Sequence, residues 1–552
     1  MNDDDCRSLV PRPAGSLAQT EGKAPGVASR MAEGVLAVIQ AEKHVSRVIR
    51  FKVGNYDFRE PEYRQIMRWA EALGRSPADV VGELDELWVK TDDEEAVAIR
   101  KGFPPFIEFL VSDGRIISLA WNFNELPLDE FVWEDGLSIE IVAFVFDAPS
   151  VKFLRRPPAS VTTLICRYTK TGSLDLSGLQ GLEKLDCESN RLTNLDLSVV
   201  PGLKVLDCAS NRLTELDLRG VPGLAQLWCD RNQITALDLS EVPGLTVLNC
   251  GLNRLTGLDL SGLSELTELD CRGNKLTKLD LSSTPSLVKL NCRRTRKALG
   301  GSGGNCLTKL SLSGVPEMRE LDCSGNLLTE LELSGVHRLH TLDCGSNRLT
   351  ALDLSGVPDL VELNCNGNRL TVLDLSDVPE LLKLACAGNP LRSLNFSRVQ
   401  KLRELDCGSI SLAGLDLSSL AELTHLECYW NTLNKLDLSG VPKLLDLNCG
   451  TNDLIRLDLS GVPGLKKLLC DDNKIIELDL LGVPKLEELW CDDNHLSEID
   501  LSGVPKLRTL GCSGNHIKTL DIRPVKQLQS LNIDPNVKII GSLPEGCQVS
   551  HL

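Results

Sequence analysis

Cysteine is the residue type of this chain that could support the most kinds of chemistry, because thiols form disulfides, bind metals and act as nucleophiles. Seventeen of the 20 cysteines recur at a 21-residue period, which is interrupted by one step of 31 residues. No CxxC motif and no Cys/His cluster accompanies this cysteine ladder, so we expect no metal site and no cofactor. The ladder comprises Cys166, Cys187, Cys208, Cys229, Cys250, Cys271, Cys292, Cys323, Cys344, Cys365, Cys386, Cys407, Cys428, Cys449, Cys470, Cys491 and Cys512.

The constant period indicates which elements position these thiols. A repeat of about 20 residues predicts a solenoid in which each turn buries its apolar face against its neighbours. Stacked strands place equivalent residues about 4.8 Å apart with parallel Cβ vectors, which disfavours disulfides, so we interpret the thiols as reduced apolar side chains. Alternation in Leu185-Asp186-Cys187, and again in Leu195-Asp196-Leu197, predicts two short parallel ladders per turn with the acids outside.

Two further ladders follow the same period. An asparagine follows almost every ladder cysteine, and we expect its carboxamide to satisfy backbone groups in a buried turn. Ile410 interrupts this series. An acidic series from Asp196 to Asp521 is interpreted as capping turn amides rather than binding calcium, because each turn offers one carboxylate. The asparagines are Asn190, Asn211, Asn232, Asn253, Asn274, Asn305, Asn326, Asn347, Asn368, Asn389, Asn431, Asn452, Asn473, Asn494, Asn515 and Asn536.

One repeat reads Leu182-x-x-Leu185-Asp186-Cys187-x-x-Asn190-x-Leu192-Thr-x-Leu195-Asp196-Leu197-Ser-x-x-Pro201-x. This pattern resembles the leucine-rich repeat, and more closely its bacterial IRREKO class, whose halves read L-x-x-L-x-C-x-x-N-x-L and L-x-x-L-D-L. The resemblance covers residues from about 160 to about 540. It implies an α/β-type horseshoe solenoid of about 18 turns, with a parallel sheet on the concave side and short convex strands, used for protein recognition.

Aromatic usage separates the repeats from the preceding chain, because 16 of the 22 Phe, Trp and Tyr residues lie before residue 154. We predict a disordered leader at 1–30, an α+β domain of unknown type at 31–155, the solenoid at 156–540 with a loop insertion at 293–304, and a tail at 541–552. In the α+β domain we expect helices at 31–49, at 60–73 and from residue 77, then hairpins at 106–121 and 131–146.

Charge and hydropathy restrict the partners of the chain. A net charge of −18 argues against nucleic acid, since phosphate binding needs a basic surface, and it favours a cationic partner. No apolar run reaches the length of about 18 residues that a membrane span requires. The acidic start has no apolar segment of a Sec signal, so we expect a cytoplasmic protein or one exported without that signal. We expect a monomer.

Positions where the repeats depart from their own consensus are candidate binding sites, because the consensus positions serve the fold. Four aromatic residues stand beside the buried strand positions, and exposed Trp and Tyr are common interface anchors. With the acids around them, they suit a basic, arginine-bearing protein segment through cation–π and ionic contacts; drift on an unused surface is the alternative. The candidate residues are Trp228, Glu427, Tyr429, Trp430, Asp471, Asp472, Glu488, Trp490, Asp492 and Asp493.

The insertion is a second departure from the repeat. Its Arg293 and Arg294 either contact an acidic partner or belong to a tolerated flexible loop. Cys306, just beyond the insertion, lies outside the ladder and is a candidate for the most exposed thiol.

Catalysis is not expected. Before residue 150 the only histidine is His44 and the only cysteine is Cys6, and neither a phosphate-binding glycine loop nor a hydrolase motif is present. We therefore predict a non-enzymatic protein–protein interaction scaffold that binds its partner on the concave face of the repeats. The alternative is an effector or enzyme with its activity in residues 31–150 and the repeats as its targeting module; a third possibility is a purely structural or surface-displayed array.

Overall fold

The structure, a computed structural model, describes residues 51–53, 56–58, 60–73, 107–112, 115–122, 137, 141–145, 160–295 and 304–550. Contacts within the chain define two units, Met1–Leu192 with Val199–Leu203, and Thr193–Ser198 with Lys204–Leu552, which are described one at a time. The helices predicted at 31–49 and from residue 77 lie outside the described residues.

The N-terminal part of the first unit contains an amphipathic helix and two antiparallel strand pairs. β1 (Phe51–Val53) pairs with β2 (Tyr56–Phe58), and β3 (Ile107–Ser112) pairs with β4 (Arg115–Asn122). Helix α1 (Glu60–Leu73) buries Ile66 and Ala70, which lie four residues apart on one face. The helix predicted at 60–73 and the hairpin predicted at 106–121 are confirmed, whereas β1 and β2 were not predicted.

Strand β5 (Ile141–Val145) corrects one prediction. It pairs in parallel with β4 on one side and with β6 (Thr163–Ile165) on the other, and β6 pairs in parallel with β7 (Lys184–Asp186). The hairpin predicted at 131–146 is therefore wrong for its second arm, because parallel neighbours occupy both edges of β5; the first arm lies outside the described residues. Within this unit, the sheet of the N-terminal hairpin continues directly into the first repeats.

The second unit is a parallel sheet with one three-residue strand per turn. Its strands are β8 (Val205–Asp207), β9 (Gln226–Trp228), β10 (Val247–Asn249), β11 (Glu268–Asp270), β12 (Lys289–Asn291), β13 (Glu320–Asp322), β14 (Thr341–Asp343), β15 (Glu362–Asn364), β16 (Lys383–Ala385), β17 (Glu404–Asp406), β18 (His425–Glu427), β19 (Asp446–Asn448), β20 (Lys467–Leu469), β21 (Glu488–Trp490), β22 (Thr509–Gly511), β24 (Ser530–Asn532) and β26 (Gln548–Ser550). Equivalent residues pair in register, so Leu248 faces Leu227 and Leu269. The central leucines of β8–β22 and β24 are at most 2% exposed, as the alternation predicts. The repeats form a parallel-sheet solenoid of about 18 turns.

The turn after each strand is stabilised by its asparagine. Asn253 donates from Nδ2 to the carbonyl oxygens of Cys229 at 2.9 Å and Cys250 at 3.1 Å, and its Oδ1 accepts from the Ile234 amide at 3.0 Å. The residue before the asparagine has a left-handed backbone in most turns, as in Ser346 with φ of 55°. The ladder cysteines are buried, and burial raises the pKa of thiols such as Cys292, so these side chains act as packing groups. The structural roles predicted for both ladders are confirmed.

The other half of each turn carries the second ladder and the acidic series. Strand pairing occurs there between β23 (Thr519–Asp521) and β25 (Lys538–Ile540), and as a single bridge between Arg456 and Glu477. Asp196 Oδ1 accepts from the amide of Ser198 at 3.0 Å and from its hydroxyl at 2.6 Å, and these bonds lower the pKa of Asp196. The acidic series therefore caps turns, as expected.

Candidate protein-binding face

Two rows of side chains project from the outer face of the sheet in the second unit. One row comes from the first residue of each strand and the other from the third. The first-residue row alternates in sign over seven consecutive turns, and we call it the charged row. Its lysines contact the acids beside them, since Lys383 Nζ lies 3.4 Å from Glu362 Oε1 and 3.6 Å from Glu404 Oε1. In register, the charged row comprises Glu362, Lys383, Glu404, His425, Asp446, Lys467 and Glu488.

The third-residue row is rich in acids, and we call it the carboxylate row. In its earlier turns, arginines neutralise the acids. Arg272 Nη1 lies 3.0 Å from Asp270 Oδ2, and Arg293 Nε lies 3.8 Å from Asp322 Oδ2. The acids of this row in the second unit are Asp207, Asp270, Asp322, Asp343, Asp406 and Glu427.

The later acids of the carboxylate row have amide partners instead of cations. Asp406 and Glu427 lie side by side in register on β17 and β18. Asp406 Oδ2 accepts from Asn366 Nδ2 at 3.2 Å, and Glu427 Oε2 accepts from Asn448 Nδ2 at 2.6 Å. Burial, reinforced by the charge of Asp406, raises the pKa of Glu427 to about 7. Among the described residues neither carboxylate forms an ion pair, so no cation in direct contact stabilises their charged forms.

A second acid pair, Asp471 and Asp492, lies further along the solenoid, where each acid directly follows a ladder cysteine. Asp492 is 8% exposed, and its Oδ1 accepts from the Ser513 amide at 2.9 Å, the Ser513 hydroxyl at 2.6 Å and Asn532 Nδ2 at 2.9 Å. Burial raises the pKa of Asp492. Burial also raises the pKa of Asp471, and the nearby charge of Asp492 adds to this effect. The next residues, Asp472 and Asp493, are exposed and have left-handed backbones. Four carboxylates thus lie within two neighbouring turns.

Two aromatic rings lie over glycines at the ends of this acidic region. A Cβ atom on Gly511 would come within 2.4 Å of the Trp490 indole, and one on Gly408 within 2.6 Å of the Tyr429 ring. Trp490 therefore leans towards the following turn and Tyr429 towards the preceding one. In the turn that contains Gly450, a Cβ atom would come nearest to the Asp471 carboxylate, at 3.0 Å. Burial raises the pKa of Tyr429 to about 12, so its hydroxyl stays protonated.

Trp430 is the most exposed aromatic side chain here, with 37% of its surface accessible. Its φ is 53°, the left-handed position that Ser409 and Gly388 occupy in earlier turns. This conformation costs roughly 1–2 kcal/mol for a residue with a Cβ atom. The chain therefore places a large apolar ring at a position where the turn itself favours glycine.

The structure brings nine of the twelve predicted residues together. We call them the C-terminal patch: Glu427, Tyr429, Trp430, Asp471, Asp472, Glu488, Trp490, Asp492 and Asp493. They belong to the turns of β18 to β21, which span about 15 Å at the usual strand spacing. Trp228 lies apart from them in β9, between Asp207 and Asn249 and roughly 43 Å away along the sheet. Arg293 and Arg294 follow β12 and are also separate.

Sequence reasoning missed three residues of this region. Asp406, His425 and Asn448 lie in the two rows and contact or adjoin the patch. Their common signal was available, because each stands one or three residues before a ladder cysteine. Cys306, the candidate for the most exposed thiol, is half-exposed, and so is Cys547. Most of the insertion lies outside the described residues.

Comparison with solved structures relates this architecture to known proteins. The functional domain of InlJ from Listeria monocytogenes, which includes a cysteine ladder, is 32% identical with a TM-score of 0.52, covering 68% of this chain and 73% of that one. YopM from Yersinia enterocolitica is 26% identical with a TM-score of 0.62, covering 79% and 91%. The leucine-rich repeat ectodomain of the receptor kinase GASSHO1/SCHENGEN3 from Arabidopsis thaliana, in complex with CASPARIAN STRIP INTEGRITY FACTOR 2, shares the fold at 18% identity and a TM-score of 0.53, covering 79% and 67%.

No protein-family model matches the chain, and no curated protein sequence does. Among the described residues, no helix has the length and apolar character needed to cross a bilayer. Leucine-rich repeat proteins are protein-interaction scaffolds, which supports a protein-binding role here, and the comparisons indicate no enzymatic family. The identity and coverage shared with InlJ, together with the buried 21-residue ladders, show that this chain belongs to the leucine-rich repeat proteins, alongside bacterial members of that family.

Proposed function

We propose that this protein is a non-enzymatic scaffold that binds a protein partner on the outer face of its parallel sheet, the concave face in leucine-rich repeat proteins. The contact site is the C-terminal patch. The observation that carries this proposal is the exposed indole of Trp430 at a left-handed position. The left-handed turn recurs along the repeats, as at Ser409, so it is the large exposed ring at this position that a contact outside the chain explains.

The partner contributes a basic segment to this contact. Earlier acids on the same face have arginine neighbours, as Asp270 has Arg272, whereas Glu427 and Asp471 form no ion pair among the described residues. Burial raises the pKa of both carboxyls; the charge of Lys467 opposes this only in part at Glu427, and Asp471 has no such cation among the groups that shift its pKa. An arginine or lysine of a partner would supply that cation, and a guanidinium would also stack on the exposed indole.

Affinity capture tests the site. The bait is the full chain as wild type, as the Trp430→Ala/Trp490→Ala double variant, and as Val372→Ser. Val372 is a matched control because it is 71% exposed and lies outside the sheet. We expect one partner to be retained by wild type and by the control, and lost by the double variant although that variant remains folded. A partner that survives the double variant but is lost when residues 1–150 are deleted would move the function to the N-terminal domain.

Several finer assignments belong to the same proposal. We assign the repeats to the IRREKO class on their nested halves, and we keep the domain boundaries at 31–155 and 156–540. We expect the N-terminal domain to act as a cap or adaptor, which is supported by the parallel pairing of β5 with β6. We expect the protein in the cytoplasm, with export as the alternative, and we expect a monomer. The enzymatic alternative in residues 31–150 gains no support from the comparisons.

A further inference from the structure

His425 occupies a place in the charged row that lysine occupies two turns before and two turns after it. It lies in register between Glu404 and Asp446, as Lys383 lies between Glu362 and Glu404. Its Nε2 is 2.8 Å from Asp446 Oδ2, and its Nδ1 is 2.9 Å from the hydroxyl of Thr424. The ring is therefore fixed on the outer face, and it is the one cation of this alternating row whose charge depends on pH near neutrality.

The position of His425 relates it directly to the C-terminal patch. His425 and Glu427 are the first and third residues of β18, so both side chains leave the same face of the sheet. Trp430 stands five residues after His425 in the same turn. A change of charge at His425 thus occurs within the surface proposed to receive a basic segment.

We propose that His425 makes partner binding at the C-terminal patch pH-dependent, with binding of a basic segment strengthening as the pH rises. This inference rests on the proposed function. The protonated imidazole neutralises Asp446 and repels a second cation. The neutral imidazole does neither, so Asp446 then becomes available to an incoming arginine or lysine, while Glu404 keeps its contact with Lys383.

The groups that face His425 determine the direction of the effect. They are Glu404 and Asp406 on β17, Asp446 on β19 and Glu427 on its own strand, with Lys383 and Lys467 beyond the flanking acids. Burial opposes the charge of Lys383, but the carboxylates of Glu404 and Glu362 outweigh it and raise the pKa of Lys383, which stays charged across neutral pH. The hydrogen bond to Asp446 raises the pKa of His425, and burial raises that of Glu427 to about 7. As the pH rises, His425 loses a positive charge and Glu427 gains a negative one, so both changes make the patch more negative.

Peptide binding across a pH series tests the inference. The probe is a fluorescent peptide of four arginine–glycine repeats, measured from pH 5.5 to pH 8.5 at constant ionic strength. His425→Lys keeps the cation at every pH, as in the neighbouring lysine turns, and His425→Gln removes it at every pH. We expect the wild-type affinity to rise with pH. In His425→Lys the ratio of the affinity at pH 8.5 to that at pH 5.5 should be about fivefold smaller than in wild type. His425→Gln is expected to bind at low pH about fivefold more tightly than wild type.

The outcomes separate the inference from the proposed function. If His425→Lys and wild type show the same rise with pH, His425 is not the switch, even though the peptide binds. If Trp430→Gly leaves peptide affinity unchanged at every pH, the peptide does not use the patch and the proposed function fails. The part of the rise that remains in His425→Lys is assigned to Glu427 and should vanish in the His425→Lys/Glu427→Gln variant.

A second measurement follows the imidazole itself. Linkage requires that a ligand favouring the neutral ring lowers the pKa of that ring by the same factor. An NMR titration of His425 should therefore show its pKa falling by about 0.7 when the peptide is saturating, which corresponds to a fivefold preference. An unchanged or higher pKa in the presence of bound peptide would overturn the inference.

Discussion

Trp490 donates a hydrogen bond from Nε1 to Oε1 of Glu488 at 2.8 Å, two residues earlier in the same strand. The other carboxylate oxygen of Glu488 lies 3.2 Å from Lys467 Nζ in the preceding strand. The polar edge of the indole is therefore satisfied inside the chain, while its ring covers Gly511. Trp490 and Trp430 thus differ in role, because the first is anchored against the sheet and the second is the more exposed ring.

Replacing Trp430 should separate binding from stability. Glycine adopts a left-handed backbone without penalty, whereas alanine keeps the Cβ atom that makes this conformation unfavourable. We therefore expect Trp430→Gly to have a free energy of unfolding about 1 kcal/mol higher than that of Trp430→Ala, as measured by urea denaturation. Both variants should lose the partner equally. Equal stability of the two variants would show that backbone strain at this position is not significant.

The asparagine ladder should be a major source of stability. Asn347 Nδ2 donates to the carbonyl oxygens of Cys323 at 3.1 Å and Cys344 at 3.0 Å, and its Oδ1 accepts from the Leu328 amide at 3.0 Å. Asn347→Ala leaves these buried groups unpaired, so we expect a loss of about 2–4 kcal/mol in the free energy of unfolding. Asn395→Ala is the control, because Asn395 is exposed and its side chain caps only the amide of Ser397. Similar losses in the two variants would contradict the structural role of the ladder.

The ladder thiols should be chemically inert in the folded protein. They are buried, and burial raises the pKa of Cys365 to about 12, so the reactive thiolate is scarce. Among the described cysteines, only Cys306 and Cys547 are half-exposed. Brief iodoacetamide treatment followed by peptide mass spectrometry should therefore modify these two first, and the ladder only after unfolding. Modification of Cys344 at the rate of Cys306 would show that the solenoid opens in the native state.

Glu427 should make stability fall as the pH rises. Its pKa is raised from 4.5 in the unfolded chain to about 7 in the fold, so the folded state holds the proton more tightly between these values. Stability is therefore lost between about pH 4.5 and pH 7 as the buried carboxyl ionises, by about 1–3 kcal/mol. Glu427→Gln should remove this component from urea denaturation measured at pH 5 and pH 8.

The control for that experiment is Glu422→Gln. Glu422 is bonded to Lys443 on the surface, which lowers its pKa, so its replacement should not reduce the fall in stability between these pH values. If Glu427→Gln and wild type lose stability in parallel from pH 5 to pH 8, the carboxyl is not destabilised by burial.

Much of the solenoid was predictable because each turn repeats the same physical solution. Burial at Leu248 and hydrogen bonding at Asn253 follow from period and residue type alone. The parallel pairing of β5 was not predictable, because strand direction depends on contacts distant in sequence, whereas the local pattern suggested a hairpin at 131–146. In the candidate site, the sequence predicted that the aromatic and acidic residues of neighbouring turns lie close together on one face. It did not predict that Tyr429 and Trp490 lean in opposite directions, because ring orientation depends on where neighbouring glycines leave space.

Site-specific photo-crosslinking tests the central claim most directly. A benzoylphenylalanine residue at position 451, in the turn between the two acid pairs, would stand within the C-terminal patch at another left-handed position. The same residue at position 372 would report on the opposite part of the turn. We expect irradiation in the presence of the captured partner to give a crosslink from position 451 to an arginine- or lysine-rich segment, and none from position 372. Crosslinking from position 372 with none from position 451 would contradict binding on the sheet face.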